Sequence, residues 1–210
     1  MTELVFILDR SGSMQGLELD TIGGFNSMIE KQRTTPGDTL VSTVLFDTEQ
    51  IVLHDRVPLE KVSKMTQNDY CVGGCTALLD AIGLAIHHIG NVHKYARRED
   101  VPEKTLFVIT TDGLENASRI YGYKKVKSMI ERQKNKYGWE FLFLGANIDA
   151  AAEAEKFGID RSRSVRYNCD SKGTALNFEV ISDAVMCCRT GASLSEDWKE
   201  RIEIDYKERG

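Results

Sequence analysis

The sequence predicts an α/β fold, an open and mostly parallel sheet of six strands with helices on both faces. Two observations lead to this prediction. Strand-like and helix-like segments alternate along the chain in the order β-α-β-β-α-β-α-β-α-β-α. The first strand-like segment, Leu4–Leu8, is a continuous apolar run, typical of a central parallel strand covered on both faces. The expected arrangement is therefore doubly wound (Rossmann-like), with strand order 3-2-1-4-5-6 and one antiparallel edge strand.

The N-terminal half provides the elements around that first strand. A helix is predicted from Leu17 to Gln32, because apolar residues recur there at helical spacing: Ile22, Phe25, Met28 and Ile29. Leu40–Phe46 and Gln50–Leu53 have the composition of strands, and the short link between them predicts an antiparallel hairpin. A short helical turn over Leu59–Met65 and an irregular stretch containing Gly73-Gly74 follow.

The C-terminal half continues the alternation. The predicted strands are Lys104–Thr110, Trp139–Leu144 and Ser164–Tyr167. The predicted helices are Ala77–Ile89, Tyr123–Tyr137, Ala150–Phe157 and Thr174–Cys188. Tyr123–Tyr137 and Ala150–Phe157 each separate two strands that we expect to be parallel, which is the pattern of repeated βαβ units.

The chain length suits one domain followed by a short extension. The 210 residues can bury one α/β core, and we expect that domain to occupy residues 1–191. Residues 192–210 form a highly charged extension in which Trp198, Ile202, Ile204 and Tyr206 are interleaved. Two alternatives remain open for the extension, a short helix lying on the body or a mobile tail.

The composition argues against several function classes. The net charge of −5 does not favour nucleic-acid binding, so the basic clusters Arg97-Arg98 and Lys124-Lys125-Lys127 are interpreted as solvated faces. No run approaches the roughly 18 apolar residues of a membrane span, and no signal-peptide pattern opens the sequence. We therefore expect a cytoplasmic protein without a nucleic-acid or membrane partner, of unknown oligomeric state.

The cysteines and histidines do not predict a zinc site or a disulfide framework. The five cysteines are odd in number, and Cys71-x-x-x-Cys75 has no second pair at zinc spacing. The four histidines form no metal-binding pattern. We expect reduced thiols that are buried or half-buried, and histidines on the surface.

Oxygen-bearing side chains follow two of the predicted parallel strands and begin one helix. Asp9, Ser11 and Ser13 come directly after the first strand. Asp112 follows the strand Lys104–Thr110, in Thr110-Thr111-Asp112-Gly113. Thr76 begins the helix that leads into that second strand. Ligands of open α/β sheets bind beyond the carboxyl ends of the strands, where the strand order reverses. If the two strands are neighbours there, all five side chains converge.

These residues resemble the metal-ion-dependent adhesion site of von Willebrand factor A (vWA) domains, which has an Asp-x-Ser-x-Ser loop, a separate Thr and a separate Asp. The resemblance covers most of the chain and is greatest to compact, single-domain bacterial vWA proteins, such as those near tellurium-resistance clusters. It implies that Ser11 and Ser13 bind the ion directly and that Thr76 binds it directly or through water. Asp9 and Asp112 would act mainly through waters and by orienting the hydroxyls.

The ligand set points to a binding module rather than an enzyme. Hydroxyls are neutral ligands, so a bound Mg²⁺ (or Mn²⁺, or Ca²⁺) keeps much of its charge and attracts one more anionic oxygen. The resemblance implies that a partner protein supplies it as Asp or Glu. We expect partner contacts from the surrounding loops, at these positions: Arg10, Met14, Gln15, Glu115 and Asn147. For Arg10 the alternative is an arginine packed on its own loop.

There are three alternatives to this interpretation. A Mg²⁺-dependent phosphohydrolase of the haloacid-dehalogenase type needs a second carboxylate two residues after the nucleophile, and that position here is Ser11. A scaffold subunit with a vestigial metal site is the second. The third is a plain turn in which Asp9 caps a helix and the serines bond locally.

Overall fold

The computed structural model describes residues 1–209, and in them the sheet has the predicted strand order, β3-β2-β1-β4-β5-β6. The strands are β1 (Thr2–Asp9), β2 (Thr39–Phe46), β3 (Gln50–Pro58), β4 (Lys104–Thr111), β5 (Glu140–Ala146) and β6 (Ser164–Tyr167). β1 pairs in parallel with β2 and with β4, and β3 pairs antiparallel with β2 at one edge. The fold prediction is therefore confirmed.

Helices cover both faces of this sheet. They are α1 (Glu18–Arg33), α2 (Leu78–Tyr95), α3 (Tyr123–Tyr137), α4 (Ala150–Lys156), α5 (Ser171–Arg189) and α6 (Glu200–Arg209). Short 3-10 helices span Gly12–Met14, Leu59–Lys61, Arg98–Asp100, Arg161–Arg163 and Glu196–Lys199. In β1, alternate residues point to opposite faces. Leu4, Phe6 and Leu8 join the core under α1 and α5, and Val5 and Ile7 join the core under α2 and α3.

Two elements extend five or more residues beyond their predicted ends. β3 continues from the expected end at Leu53 to Pro58, and Arg56 in this extension has a positive φ of 50°. α2 continues from Ile89 to Tyr95 through a polar last turn. In both cases the added residues are mostly polar, so the apolar pattern from which the bounds were read ends before the hydrogen-bonded element does.

Two expectations about individual side chains are wrong. His54 is buried, because its ring stacks on Phe25 and its two nitrogens contact Thr43 Oγ1 and Ser63 O, at 3.0 and 3.1 Å. Cys71 and Cys75 are exposed rather than buried or half-buried. Both lie in the loop before α2.

The C-terminal extension is helical and packs on the body. Ile202 of α6 is 1% exposed and belongs to the core between the sheet, α1 and α5. Trp198 donates a hydrogen bond from Nε1 to Ser162 O, at 2.8 Å. Of the two alternatives, residues up to 209 therefore adopt the docked helix. No helix in the described part of the chain is long and apolar enough to cross a membrane.

Candidate metal centre

The five predicted site residues lie together at the carboxyl edge of the sheet. β1 and β4 are neighbours, with Leu8 in register with Thr110, so the loops that follow them begin side by side. Strand order reverses here, because β2 follows β1 on one side and β4 lies on the other. Asp9, Ser11, Thr76 and Asp112 are each 3% exposed or less, whereas Ser13 is exposed to solvent. The centre is thus a buried set of oxygens with one open side.

Asp9 is held at both carboxylate oxygens. Oδ1 accepts a hydrogen bond from the Ser11 backbone N–H at 2.7 Å, and Oδ2 accepts one from the Thr111 hydroxyl. The Tyr70 hydroxyl donates to the Asp9 backbone carbonyl, which ties the end of β1 to the loop before α2. These contacts fix the carboxylate beneath the loop of the two serines.

The two serines link Asp9's loop to Asp112. Ser13 Oγ donates a hydrogen bond to Asp112 Oδ1 at 2.5 Å and lies 3.2 Å from Ser11 Oγ. The other oxygen of Asp112, Oδ2, has the Cys169 thiol at 3.8 Å. Asp112 is therefore oriented from one side by a hydroxyl and from the other by a thiol.

Thr76 enters the centre from the third loop. Its backbone N–H donates to Asn116 Oδ1 at 2.9 Å, and its carbonyl accepts from Asn116 N–H at 3.0 Å. A Cβ added to Gly113 would lie 3.1 Å from Thr76 Oγ1 and 3.6 Å from Ser13 Oγ, so both hydroxyls flank Gly113. The absence of a side chain at this position lets the three loops approach one another.

Backbone contacts hold the loop after β1 against the third loop, the one that precedes α2 and carries Thr76. Gly12 N–H donates to Gly74 O at 3.2 Å, and Gly73 N–H donates to Arg10 O at 2.9 Å. Gly74 has a φ of +69°, a backbone conformation that residues other than glycine rarely adopt. The Gly73-Gly74 pair thus has a specific role in placing Thr76 opposite the serines.

Two carboxylates share this small volume. Burial raises the pKa of Asp9, and the nearby charge of Asp112 adds to the rise, whereas hydrogen bonds from Ser11 and Thr111 oppose it. Burial also raises the pKa of Asp112, against the hydrogen bond from Ser13. Both shifts have the direction expected when carboxylates are desolvated close to each other.

The donor set fits a hard divalent cation. It consists of two carboxylates and three hydroxyls, all of them oxygen ligands of the kind that Mg²⁺ and Mn²⁺ prefer. In residues 1–209 no group of three or more His, Cys, Asp or Glu side chains could hold a metal. Ser11, Ser13 and Thr76 would hold the ion, with Asp9 and Asp112 orienting them and balancing its charge.

The residues predicted to contact a partner have different surroundings. Gln15 and Asn147 are exposed, and Asn147 has a positive φ of 54°. Met14 is 4% exposed and faces the interior. Arg10 Nη2 lies 2.9 Å from Asp47 Oδ2, with both side chains largely buried, so Arg10 pairs with the link between β2 and β3 rather than with its own loop.

Glu115 has a structural contact on each oxygen. Oε1 accepts hydrogen bonds from Ala117 N–H at 3.0 Å and Ser118 N–H at 2.7 Å. Oε2 accepts them from Leu79 N–H at 2.8 Å and Ser118 Oγ at 2.7 Å. The carboxylate therefore connects the loop after β4 to the first turn of α2.

Several residues of the centre were not identified from the sequence. Thr111 precedes Asp112 at the end of a strand, and its position alone could have indicated a partner for Asp9. Tyr70, Asn116 and Cys169 carry no such signal, because they reach the centre only through the folding of separate loops.

Comparison with known proteins supports the fold. A scan of the sequence against protein-family models gives no match, and a comparison with curated proteins gives none. Among solved structures, the vWF domain of the type V pili tip protein Mfa5 from Porphyromonas gingivalis is similar, with a TM-score of 0.64 at 11% identity. The similarity covers 93% of this chain and 98% of that one.

Two further solved structures share the fold. A von Willebrand factor type A protein from Catenulispora acidiphila matches with a TM-score of 0.61 at 14% identity over 88% of this chain. Proximal thread matrix protein 1 from the mussel byssus, described with a zinc-occupied MIDAS motif, matches with a TM-score of 0.62 at 13% identity over 90%. This chain spans only 42% and 48% of those two chains. At these identities the comparisons show that the chain has the vWA fold, a Rossmann-like α/β architecture.

Proposed function

We propose that this protein is a metal-ion-dependent protein-binding module with an intact adhesion site. The observation that carries the proposal is the convergence of three hydroxyls and two carboxylates on one solvent-open point between β1 and β4. Mg²⁺ is the preferred ion, with Mn²⁺ and Ca²⁺ as alternatives. The mussel protein of the same fold, described with a zinc-occupied MIDAS motif, supports a divalent ion as the ligand.

The bound ion would recruit a carboxylate from a partner protein. Three neutral ligands leave its charge largely uncompensated, and the exposed position of Ser13 leaves one side of the site open. An Asp or Glu side chain of the partner could bind the ion from this open side. Losing such a contact typically costs about 2–5 kcal/mol, or roughly two to four decades in Kd. Metal should therefore switch partner binding on and off.

We propose no catalytic step at this site. The position at which a phosphohydrolase would carry its second carboxylate holds Ser11, whose hydroxyl lies 3.2 Å from Ser13 Oγ. The protein is proposed to act in the cytoplasm, since the exposed thiols of Cys71 and Cys75 suit a reducing compartment.

Affinity capture from the native host tests the proposal. Wild-type bait is used with Mg²⁺ and with EDTA, beside Asp112→Ala and the matched control Asp100→Ala, an exposed residue shortly before β4, at the opposite edge of the sheet. We expect one set of partners that requires Mg²⁺, that Asp112→Ala loses and that Asp100→Ala retains. A partner set indifferent to EDTA and to Asp112→Ala would refute metal-gated binding.

A further inference from the structure

A cleft of about 450 Å³ lies between α2 and α3, away from the metal centre. Trp139, directly before β5, and Pro102, shortly before β4, both line it, so it opens towards the amino ends of the strands. The metal centre occupies the carboxyl ends. The cleft has the size of a small-molecule site, and the binding proposed above does not use it.

The floor of the cleft is apolar and formed by a buried, stacked ring. Trp139 is 5% exposed, and its ring stacks on Phe107 with centroids 5.3 Å apart. Gly90 of α2 keeps the space above Trp139 open. A Cβ there would lie 3.4 Å from Gln133 Nε2 and 4.0 Å from the Trp139 ring, so a longer side chain at this position would enter the cleft.

The rim of the cleft is cationic. It carries Lys94, Lys125 and Arg132, which are exposed, together with two histidines, His87 and His93. None of the residues that line the cleft, all of which the structure describes, bears a carboxylate. The buried Glu3 beneath the cleft is already paired, with Arg56 Nε at 2.6 Å and with His93 Nε2. The rim is therefore positively charged although the chain as a whole has a net charge of −5.

We propose that this cleft binds a small amphipathic anion, with an apolar ring or acyl body on Trp139 and an anionic head at Lys125 and Arg132. A carboxylate, phosphate or sulfonate head would satisfy the same rim, because each offers oxygens to the two cations. An apolar floor with a few polar groups at one side is the usual composition of a ligand site. This inference does not depend on the metal centre.

Binding of anilinonaphthalene sulfonate, an aromatic anion, tests the proposal by its fluorescence. Phenylnaphthylamine supplies the same rings without the charge. We expect saturable binding of the sulfonate and at least about tenfold weaker binding of the amine. Gly90→Leu should weaken sulfonate binding by about tenfold or more, because the leucine fills the space over Trp139. In a Trp198→Phe background, bound probe should quench the emission of Trp139, which is then the only tryptophan.

Matched variants distinguish binding of the probe in the cleft from nonspecific binding elsewhere on the surface. Gly23→Leu is the control for Gly90→Leu, since Gly23 is an exposed glycine of α1 with open space around it. Lys124→Glu is the control for Lys125→Glu, because Lys124 is exposed and does not line the cleft. Lys125→Glu should weaken binding by about fivefold, the size of one partly exposed ion pair, and Lys124→Glu should not.

Several outcomes would overturn the proposal. One is equal affinity for the charged and uncharged probes. Another is unchanged binding in both Gly90→Leu and Lys125→Glu. A third is displacement of the probe by a short oligonucleotide whose own affinity Gly90→Leu leaves intact, which would mark a general polyanion surface instead. If circular dichroism shows that Gly90→Leu is misfolded, the pair Lys125→Glu and Lys124→Glu decides the question.

Discussion

At the scale of single residues, the metal centre depends on how its carboxylates are held. Both oxygens of Asp9 accept hydrogen bonds, from Ser11 and Thr111, and Asp112 is oriented by Ser13 and Cys169. Carboxylates fixed in this way can orient hydroxyl ligands for an ion that demands a regular shell. The hydroxyls are close-packed around Gly113, so the site has little room to adapt.

Gly113→Ala should weaken metal binding. Its Cβ would lie 3.1 Å from Thr76 Oγ1, so that hydroxyl has to shift, whereas the 3.6 Å to Ser13 Oγ is an ordinary contact. We expect about tenfold weaker affinity for Mg²⁺ or Mn²⁺ by calorimetric titration. Gly122→Ala is the matched control, because a Cβ at Gly122 meets nothing within 4 Å. Equal affinity in the two variants would contradict the close packing described for the centre.

At the scale of elements, α1 and α5 pack through a glycine. A Cβ on Gly24 would lie 2.3 Å from Phe178 Cδ2 and 3.1 Å from Phe178 Cβ, and Phe178 is only 5% exposed. The preceding residue, Gly23, faces solvent with nothing within 4 Å of an added Cβ. Of these two adjacent glycines, Gly24 is therefore required by the contact between α1 and α5, whereas Gly23 is not.

The same substitution should have opposite effects at these two positions. Gly24→Ala should lower the free energy of unfolding by about 1–3 kcal/mol, because the buried ring has to move. Gly23→Ala should raise it by about 0.5–1 kcal/mol, through the better helix propensity of alanine. Urea denaturation of both variants measures the difference. Stabilisation by both substitutions would mean that α1 and α5 do not approach as closely as described.

How far the sequence predicts these elements depends on their polarity. The continuous apolar runs of β1 and β4 identify central strands, and the shared direction of the two strands predicts that Asp9 and Asp112 lie at the same edge of the sheet. The far end of β3 and the last turn of α2 are polar, so periodicity misses them. Tyr70, Asn116 and Cys169 were not foreseen either, because contacts across separate loops leave no spacing pattern in a single chain.

At the scale of the whole molecule, stability should depend on the protonation of a buried histidine. Burial lowers the pKa of His54 below its usual 6.5, although contact with Ser63 O and the charge of Asp69 partly oppose this. His54 is thus neutral in the fold when the unfolded chain already binds a proton. The unfolded state then takes up more protons as the pH falls below about 6.5, so acidification favours unfolding.

The melting temperature should therefore fall between about pH 7.5 and pH 5.5, and His54→Asn should show a smaller fall. His87→Asn is the control, because His87 is exposed, and it should keep the wild-type slope. Differential scanning calorimetry across this pH range measures the change in melting temperature per pH unit for each protein. This slope is compared, and not the absolute melting temperature of each variant. Equal slopes in wild type and His54→Asn would show that His54 does not contribute to the pH dependence.

Calorimetric titration of Mg²⁺ and Mn²⁺ tests whether Asp9, Ser11, Ser13, Thr76 and Asp112 hold an ion. Wild type is compared with Asp112→Ala, and thermal unfolding checks that both are folded. We expect one saturable site in wild type that Asp112→Ala loses. Equal heats in the two proteins, or no heat in either, would contradict metal binding by these residues and favour a vestigial site.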